Sequence, residues 1–199
     1  MARIGIVDYG VGNLMSVTNA LHFIGLESEI IADPQDLNRA DGVILPGVGA
    51  FPAAARCLEE SGFVPVLKDL QKPLLGICVG MQLLFTMGYE FEPCPGLNLI
   101  PGEVHKIDTA LKLPHIGWNR LKIRRETPLF QGLDSDIWVY FVHSFSAVSV
   151  PEPDVVAETD YGKTVTAAVN RGNVYGTQFH PEKSGDTGLQ ILRNFGDII

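Results

Sequence analysis

The stretch Leu74-Leu75-Gly76-Ile77-Cys78-Val79-Gly80-Met81-Gln82-Leu83-Leu84-Phe85 limits what this chain can fold into more than any other. An apolar run meets a sharp turn carrying one cysteine, and a helical pattern follows, so the segment reads as buried strand, turn and helix. Gly76 and Gly80 flank Cys78 as G-x-C-x-G, the cysteine form of a nucleophile elbow. Small residues on both sides let strand and helix approach around a strained turn, which lifts the apex side chain above the sheet edge. The turn also sets the sulfur near the first N–H groups of the helix, where the positive dipole end favours a thiolate, the nucleophilic form of cysteine. Without such a turn, a cysteine in an apolar strand is a packing residue.

A second segment supplies what a nucleophile needs. A strand predicted over residues 173–179 ends in His180-Pro181-Glu182. His180 can act as the base. Glu182 falls on the same side of an extended chain, so its carboxylate can reach the imidazole N–H, and Pro181 fixes φ between them. Taken alone, this tripeptide equally describes a strand-end histidine beside a surface glutamate. With the elbow in the same chain it reads as a catalytic triad of Cys78, His180 and Glu182.

The rest of the composition agrees with an intracellular α/β enzyme. The chain has 199 residues, enough for one domain spanning 1–199 with a substantial core. Charged residues are 19% and hydrophobic ones 46%, which argues against disorder. A net charge of −8 makes nucleic acid and anionic membrane poor partners. Cys57, Cys78 and Cys94 are an odd number without framework spacing, which fits a reducing compartment, and no Cys-x-x-Cys accompanies the His-x-Glu of residues 180–182 to make a zinc site. Met1-Ala2-Arg3 leads directly into a strand, so no signal peptide is expected, and no run suits a bilayer span. The expected location is cytoplasmic.

Strands predicted at residues 4–8, 28–32, 42–45 and 74–78 alternate with helical patterns at residues 14–24, 51–61 and 64–70 and after Cys78, which predicts a parallel sheet covered on both faces. The second half changes character. Residues 97–106, 115–123, 137–142, 155–158, 165–170 and 174–179 read as strands, Arg171-Gly172-Asn173 as a tight hairpin turn, and residues 185–199 as a closing helix. The prediction is a mixed, mostly parallel sheet flanked by helices. The basic residues Lys106, Lys112, Arg120, Lys122, Arg124 and Arg125 read as a solvated strand face.

Two glycine loops remain. Tyr9-Gly10-Val11-Gly12-Asn13 lacks the third glycine of a dinucleotide loop, Met15 standing in its place. Pro46-Gly47-Val48-Gly49 closes a predicted parallel strand, where α/β sheets place ligands, and its glycines free backbone N–H groups to face a developing oxyanion. The Val79 N–H, next to the nucleophile, would be the second donor.

The elbow with Gln82, together with His180-Pro181-Glu182, resembles the triad-type (class I) glutamine amidotransferase family. Its fold is a flavodoxin-like α/β sheet, and it uses no metal or organic cofactor. Asp8-Tyr9-Gly10-Val11-Gly12-Asn13-Leu14, Pro46-Gly47-Val48-Gly49-Ala50-Phe51, Pro114-His115-Ile116-Gly117-Trp118-Asn119 and Tyr140-Phe141-Val142-His143-Ser144 are similar to the branch that serves imidazole glycerol phosphate synthases in histidine biosynthesis. The resemblance implies that Cys78 attacks the side-chain amide of L-glutamine, that His180 moves the proton and that Glu182 orients His180. Gly47, Val48, Gly49 and the Val79 N–H would hold the oxyanion. Gln82 and the His143-Ser144 backbone would hold the amino-acid end of the substrate. Asn13, Trp118 and Lys183 would face a (β/α)8-barrel cyclase subunit in a heterodimer, into which ammonia would pass. The sequence departs from the family in having Val79 for leucine, Phe145 where a hydroxylated aromatic is common, and Asn98 within a Gly-Leu-Gly-Leu run. The alternatives are a glutaminase subunit of an anthranilate, pyridoxal phosphate or GMP synthase, a free-standing γ-glutamyl hydrolase, and a catalytically silent regulatory subunit. The Asp8–Leu14 and Pro114–Asn119 motifs speak against the other synthases, and the intact triad against the silent subunit.

Overall fold

The computed structural model describes residues 2–134 and 136–199. The first half alternates as the apolar runs require. Strands β1 (Arg3–Val7), β2 (Glu27–Ile31), β3 (Gly42–Gly47) and β4 (Leu74–Cys78) are interleaved with helices α1 (Leu14–Phe23), α2 (Phe51–Glu60) and α3 (Phe63–Lys68). Asn13 starts α1 by accepting from Ser16 N, and Gly25, at φ 80°, follows its end. A single helical turn, α4 (Val79–Gln82), follows Cys78. Then come β5 (Met87–Gly88), β6 (Cys94–Pro95), β7 (Glu103–Lys106), β8 (His115–Arg120), β9 (Lys122–Ile123), β10 (Trp138–His143), β11 (Phe145–Val148), β12 (Val155–Asp160), β13 (Thr164–Arg171) and β14 (Val174–Thr177), closed by α5 (Gly185–Ile198).

The main sheet has the order β2-β1-β3-β4-β14-β13-β12-β9. Strands β2 through β14 in that order are parallel, and β13, β12 and β9 continue antiparallel. This is the flavodoxin-like order at the parallel end, joined to an antiparallel extension through the Arg171–Val174 hairpin, as the mixed reading predicts. Strands β3, β4 and β14 are buried along their length, as expected at the centre of a sheet covered on both faces. Two smaller sheets, β10-β8 and β11-β7-β5-β6, stand apart from the main one.

Two sequence expectations fail together, for one reason. The helix after Cys78 stops after one turn, and residues 97–102 are not strand. Carbonyls of Leu83, Leu84 and Phe85 accept N–H groups from Leu97, Leu99, Ile100 and Asn98 instead of from a continuing helix. Each segment uses up the other's backbone groups, a long-range pairing that no local period reveals. Among the basic residues, Arg120 pairs with Asp136 at 2.7 Å, Arg124 lies 3.5 Å from Glu158, and Arg125 donates to Asn170 O at 3.1 Å. Among the described residues no helix is long and apolar enough to cross a membrane.

Candidate active site

Three adjacent parallel strands end side by side. In register, Gly47 at the end of β3 lies opposite Cys78 at the end of β4, and Ile77 lies opposite Thr177 at the end of β14. The chain continues from Thr177 through Gln178 and Phe179 to His180, so strand order alone brings the glycine loop, the cysteine and the histidine to one edge of the sheet.

Close approach explains the glycines. A Cβ on Gly80 would lie 1.9 Å from the Leu45 carbonyl oxygen, one on Gly76 2.7 Å from Gly80 O, and one on Gly47 2.5 Å from Gly80 N. The elbow and the end of β3 are therefore in backbone contact. Cys78 itself has φ 55° and ψ −111°, a conformation L-residues rarely adopt, and it is 4% exposed. Gly80→Ala is expected to force β3 from the elbow, costing on the order of 1–3 kcal/mol as an overpacked site does and removing activity with it. A thermal melt checks this, and an unchanged melting temperature would contradict it.

The His-Pro-Glu segment is not the extended chain expected from the sequence but a 3-10 turn, Pro181–Lys183, in which Lys183 N donates to His180 O at 3.0 Å. Ser184 Oγ donates to His180 O at 2.6 Å and accepts from Tyr140 N at 3.0 Å, while His180 N donates to Tyr140 O at 3.0 Å. His180 Nδ1 donates to Glu182 Oε1 at 2.8 Å, with both side chains at most 2% exposed. The other ring nitrogen, Nε2, is buried without a protein hydrogen-bond partner, as is Glu182 Oε2. Burial pulls the imidazole pKa down, but contact with the Cys78 sulfur and with the Glu182 carboxylate outweighs it, and the net result is a rise from 6.5 to about 9. His180 therefore lies beside the sulfur with its protonated form favoured by Cys78 and Glu182, and with its ring orientation fixed by the bond to Glu182.

A cavity of about 280 Å³ opens on Cys78 and His180. Of the residues expected there, Val48, Gly49, Val79, Gln82, His143 and Ser144 line it. Gly47 lies behind, against Val79 and Gly80. Glu90 also lines the cavity, and sequence reading missed it. Its Oε2 accepts from Phe51 N, at the start of α2, at 2.7 Å. It comes from an irregular loop with no motif around it, so only the folded chain reveals it. Gln82 lines the cavity with its Nε2 committed to Phe145 O and Gln178 Oε1, each at 3.0 Å. Asn13, Trp118 and Lys183 do not line the cavity. Asn13 caps α1, Trp118 is 53% exposed with its ring edge-on to Tyr140, and Lys183 is exposed.

The Asp8–Leu14 motif props the glycine loop. Tyr9, buried, donates its hydroxyl to Pro46 O at 2.8 Å, and a Cβ on Gly12 would come within 3.2 Å of the Pro46 ring. His115, from the other distinctive motif, is buried against His143 with Nδ1 3.1 Å from Nε2. Burial lowers the pKa of each from 6.5 to about 4. For His143 the hydrogen bond to Phe145 opposes that trend, and the neighbouring histidines add to it. Both rings are thus neutral in the fold and gain a proton more easily when unfolded. Their contribution to stability is fully present above about 6.5 and is lost as pH falls toward about 4. Urea midpoints measured across that interval are expected to fall with pH, less steeply in His115→Phe; equal slopes would contradict this.

The fold and site define a class. The glutamine amidotransferase class-I family model matches residues 5–198, and the chain belongs to that family. A protein from Thermoplasma acidophilum described as part of a putative GMP synthase superposes with TM-score 0.79 at 25% identity, covering 100% of this chain and 94% of that one. PurLQS from Thermotoga maritima superposes with TM-score 0.75 at 21% identity, covering 98% of each. Within the family, the chain is 52% identical over 98% of its length to the imidazole glycerol phosphate synthase subunit HisH of Bacillus cereus (strain G9842), covering 95% of that protein. It is 49% identical, with the same coverage, to that of Bacillus anthracis (strain A0248).

Proposed function

We propose that this chain is a single-domain, cytoplasmic glutaminase that hydrolyses L-glutamine to glutamate and ammonia and delivers the ammonia to a (β/α)8-barrel cyclase subunit. The cyclase uses it to make imidazole glycerol phosphate and AICAR in histidine biosynthesis. The observation that carries the reading is the convergence of Cys78, His180 and Glu182 at one end of three adjacent parallel strands, above a cavity sized for a small amino acid. The relatives' shared description supplies the synthase.

The chemistry runs in two steps. Cys78 Sγ attacks the amide carbon, and the carbonyl electron pair moves to oxygen, facing the Val79 N–H and the Gly47–Gly49 loop. His180 gives its proton to the amide nitrogen, the C–N bond breaks and ammonia leaves. Water then attacks the glutamyl thioester, giving its proton to His180. The C–S bond breaks with its electron pair on sulfur, and glutamate departs. Glu90, the one carboxylate facing the cavity among the described residues, suits the α-ammonium group of the substrate. Asn13, Trp118 and Lys183, outside the cavity, would face the cyclase.

The test is glutamate release by this chain alone, with a purified cyclase subunit, and with that subunit plus its nucleotide substrate. Strong stimulation in the full mixture is expected. Equal, brisk release in all three would instead indicate a free-standing glutaminase.

A further inference from the structure

Gln178 is fully buried, and its Nε2 lies 3.8 Å from the Cys78 sulfur. An amide can face a sulfur with either end, and here its neighbours decide. The Phe145 carbonyl can only accept, so Gln82 turns Nε2 toward it. The second proton on that nitrogen goes to Gln178 Oε1. With its oxygen committed, Gln178 offers the sulfur an N–H.

The Phe145 carbonyl is also held from its other side. His143 Nδ1 donates to it at 2.8 Å, so His143 Nε2 accepts from His115 Nδ1. His115 Nε2 then accepts from Asn119 Nδ2 at 3.2 Å. Asn119 is fixed that way round, because its nitrogen also donates to Asp160 O at 2.8 Å and its oxygen accepts from Arg120 N at 2.8 Å. Each junction from Asn119 to Cys78 pairs a donor with an acceptor, and the carbonyl of Phe145 fixes the direction of both halves.

We propose that Gln178 is a further catalytic residue of the glutaminase reaction, donating its N–H to the Cys78 sulfur as the thioester C–S bond breaks and the electron pair returns to sulfur. Asn119, His115 and His143 are positioning residues that act through Phe145 O and Gln82. This role rests on the glutaminase reading of Cys78. Gln178 serves the second step, where sulfur is the leaving group and gains negative charge, and a donor already aimed at it needs no reorganisation.

The test uses the complex with the cyclase subunit, supplied with its nucleotide substrate. Gln178→Met keeps the volume and removes the donor. It is expected to lower kcat about tenfold, as loss of a hydrogen bond to a charged group does, to lower KM with it so that kcat/KM is nearly unchanged, and to let the glutamyl thioester accumulate in intact-mass spectra. A disturbed fold would instead raise KM and leave no thioester. Asn119→Asp, at the half-buried far end, replaces a donor to His115 with an acceptor and is expected to show the same pattern more weakly, so it decides the matter if Gln178→Met does not fold. Wild-type kcat in both variants, or a lower kcat with no thioester, would overturn the role. Failure of the wild-type complex to release glutamate would overturn the glutaminase reading itself.

Discussion

Cys78→Gly is expected to abolish glutamate release and, at the same time, to raise the melting temperature. The loss is chemical: Cys78 is the one thiol lining the cavity at the ends of β3, β4 and β14 among the described residues. The gain is conformational. Cys78 holds φ 55° and ψ −111°, a strained state costing on the order of 1–3 kcal/mol for a residue with a Cβ and far less for glycine. Glycine gives back about 0.5–1 kcal/mol through the greater freedom of its unfolded chain. The net is about 1 kcal/mol, or roughly 2–4 °C for a chain of this size. Cys78→Ala removes the sulfur but keeps the Cβ, so it is expected to be as inactive as Cys78→Gly without the gain. A thermal scan of the three proteins checks this. A melting temperature for Cys78→Gly below that of Cys78→Ala would mean that the elbow stores no strain. A higher melting temperature for Cys78→Gly than for Cys78→Ala would make the strain part of the site, since this backbone is what presents the sulfur above the sheet edge.

Glu182→Gln is expected to lower kcat by about two to four orders of magnitude with KM for glutamine little changed, as happens when a buried orienting carboxylate loses its charge. The amide can still occupy the space 2.8 Å from His180 Nδ1, but it no longer compensates the imidazolium and can present its NH2 in place of an acceptor. The same change has a stability signature. His180 titrates at about 9 in the fold against 6.5 unfolded, so its charged form contributes stability fully below about 6.5, and that contribution is lost as pH rises through about 9. Urea midpoints of the wild type are expected to decline over that interval, and Glu182→Gln to flatten the decline. A variant with wild-type kcat, or with an unchanged slope, would show that Glu182 neither orients nor charges His180.

What the sequence revealed follows physical locality. The elbow was legible because its glycines lie within two residues of Cys78, and backbone contact of Gly80 with β3 and of Gly76 with Gly80 leaves no alternative to them. His180 and Glu182 were legible because the chain brings them together through one proline. The alternation of strands and helices in the first half, and the antiparallel turn at Arg171–Asn173, were visible for the same reason. Glu90, the shortness of α4 and the non-strand at residues 97–102 were not, since each depends on a partner far along the chain: Phe51 for Glu90, and the mutual capping of residues 83–85 and 97–100 for the other two. The commitment of the Gln82 Nε2 was not legible for a related reason. Its helical position was visible, but the Phe145 carbonyl that claims its N–H comes from a strand 63 residues later. The Pro114–Asn119 motif was recognisable only by resemblance, and the folded chain gives it a physical basis in the His115–His143 pair and the Asn119 bonds.

The central claim is that the Cys78 sulfur forms a covalent bond to the side-chain carbon of glutamine. Incubating the chain and its cyclase subunit with a diazoketone analogue of glutamine, followed by peptide mass mapping, tests this directly. The expected result is a single stoichiometric adduct on Cys78, suppressed by excess glutamine and absent in His180→Ala. An adduct on Cys57 or Cys94 instead, or labelling of Cys78 that glutamine does not suppress, would contradict it.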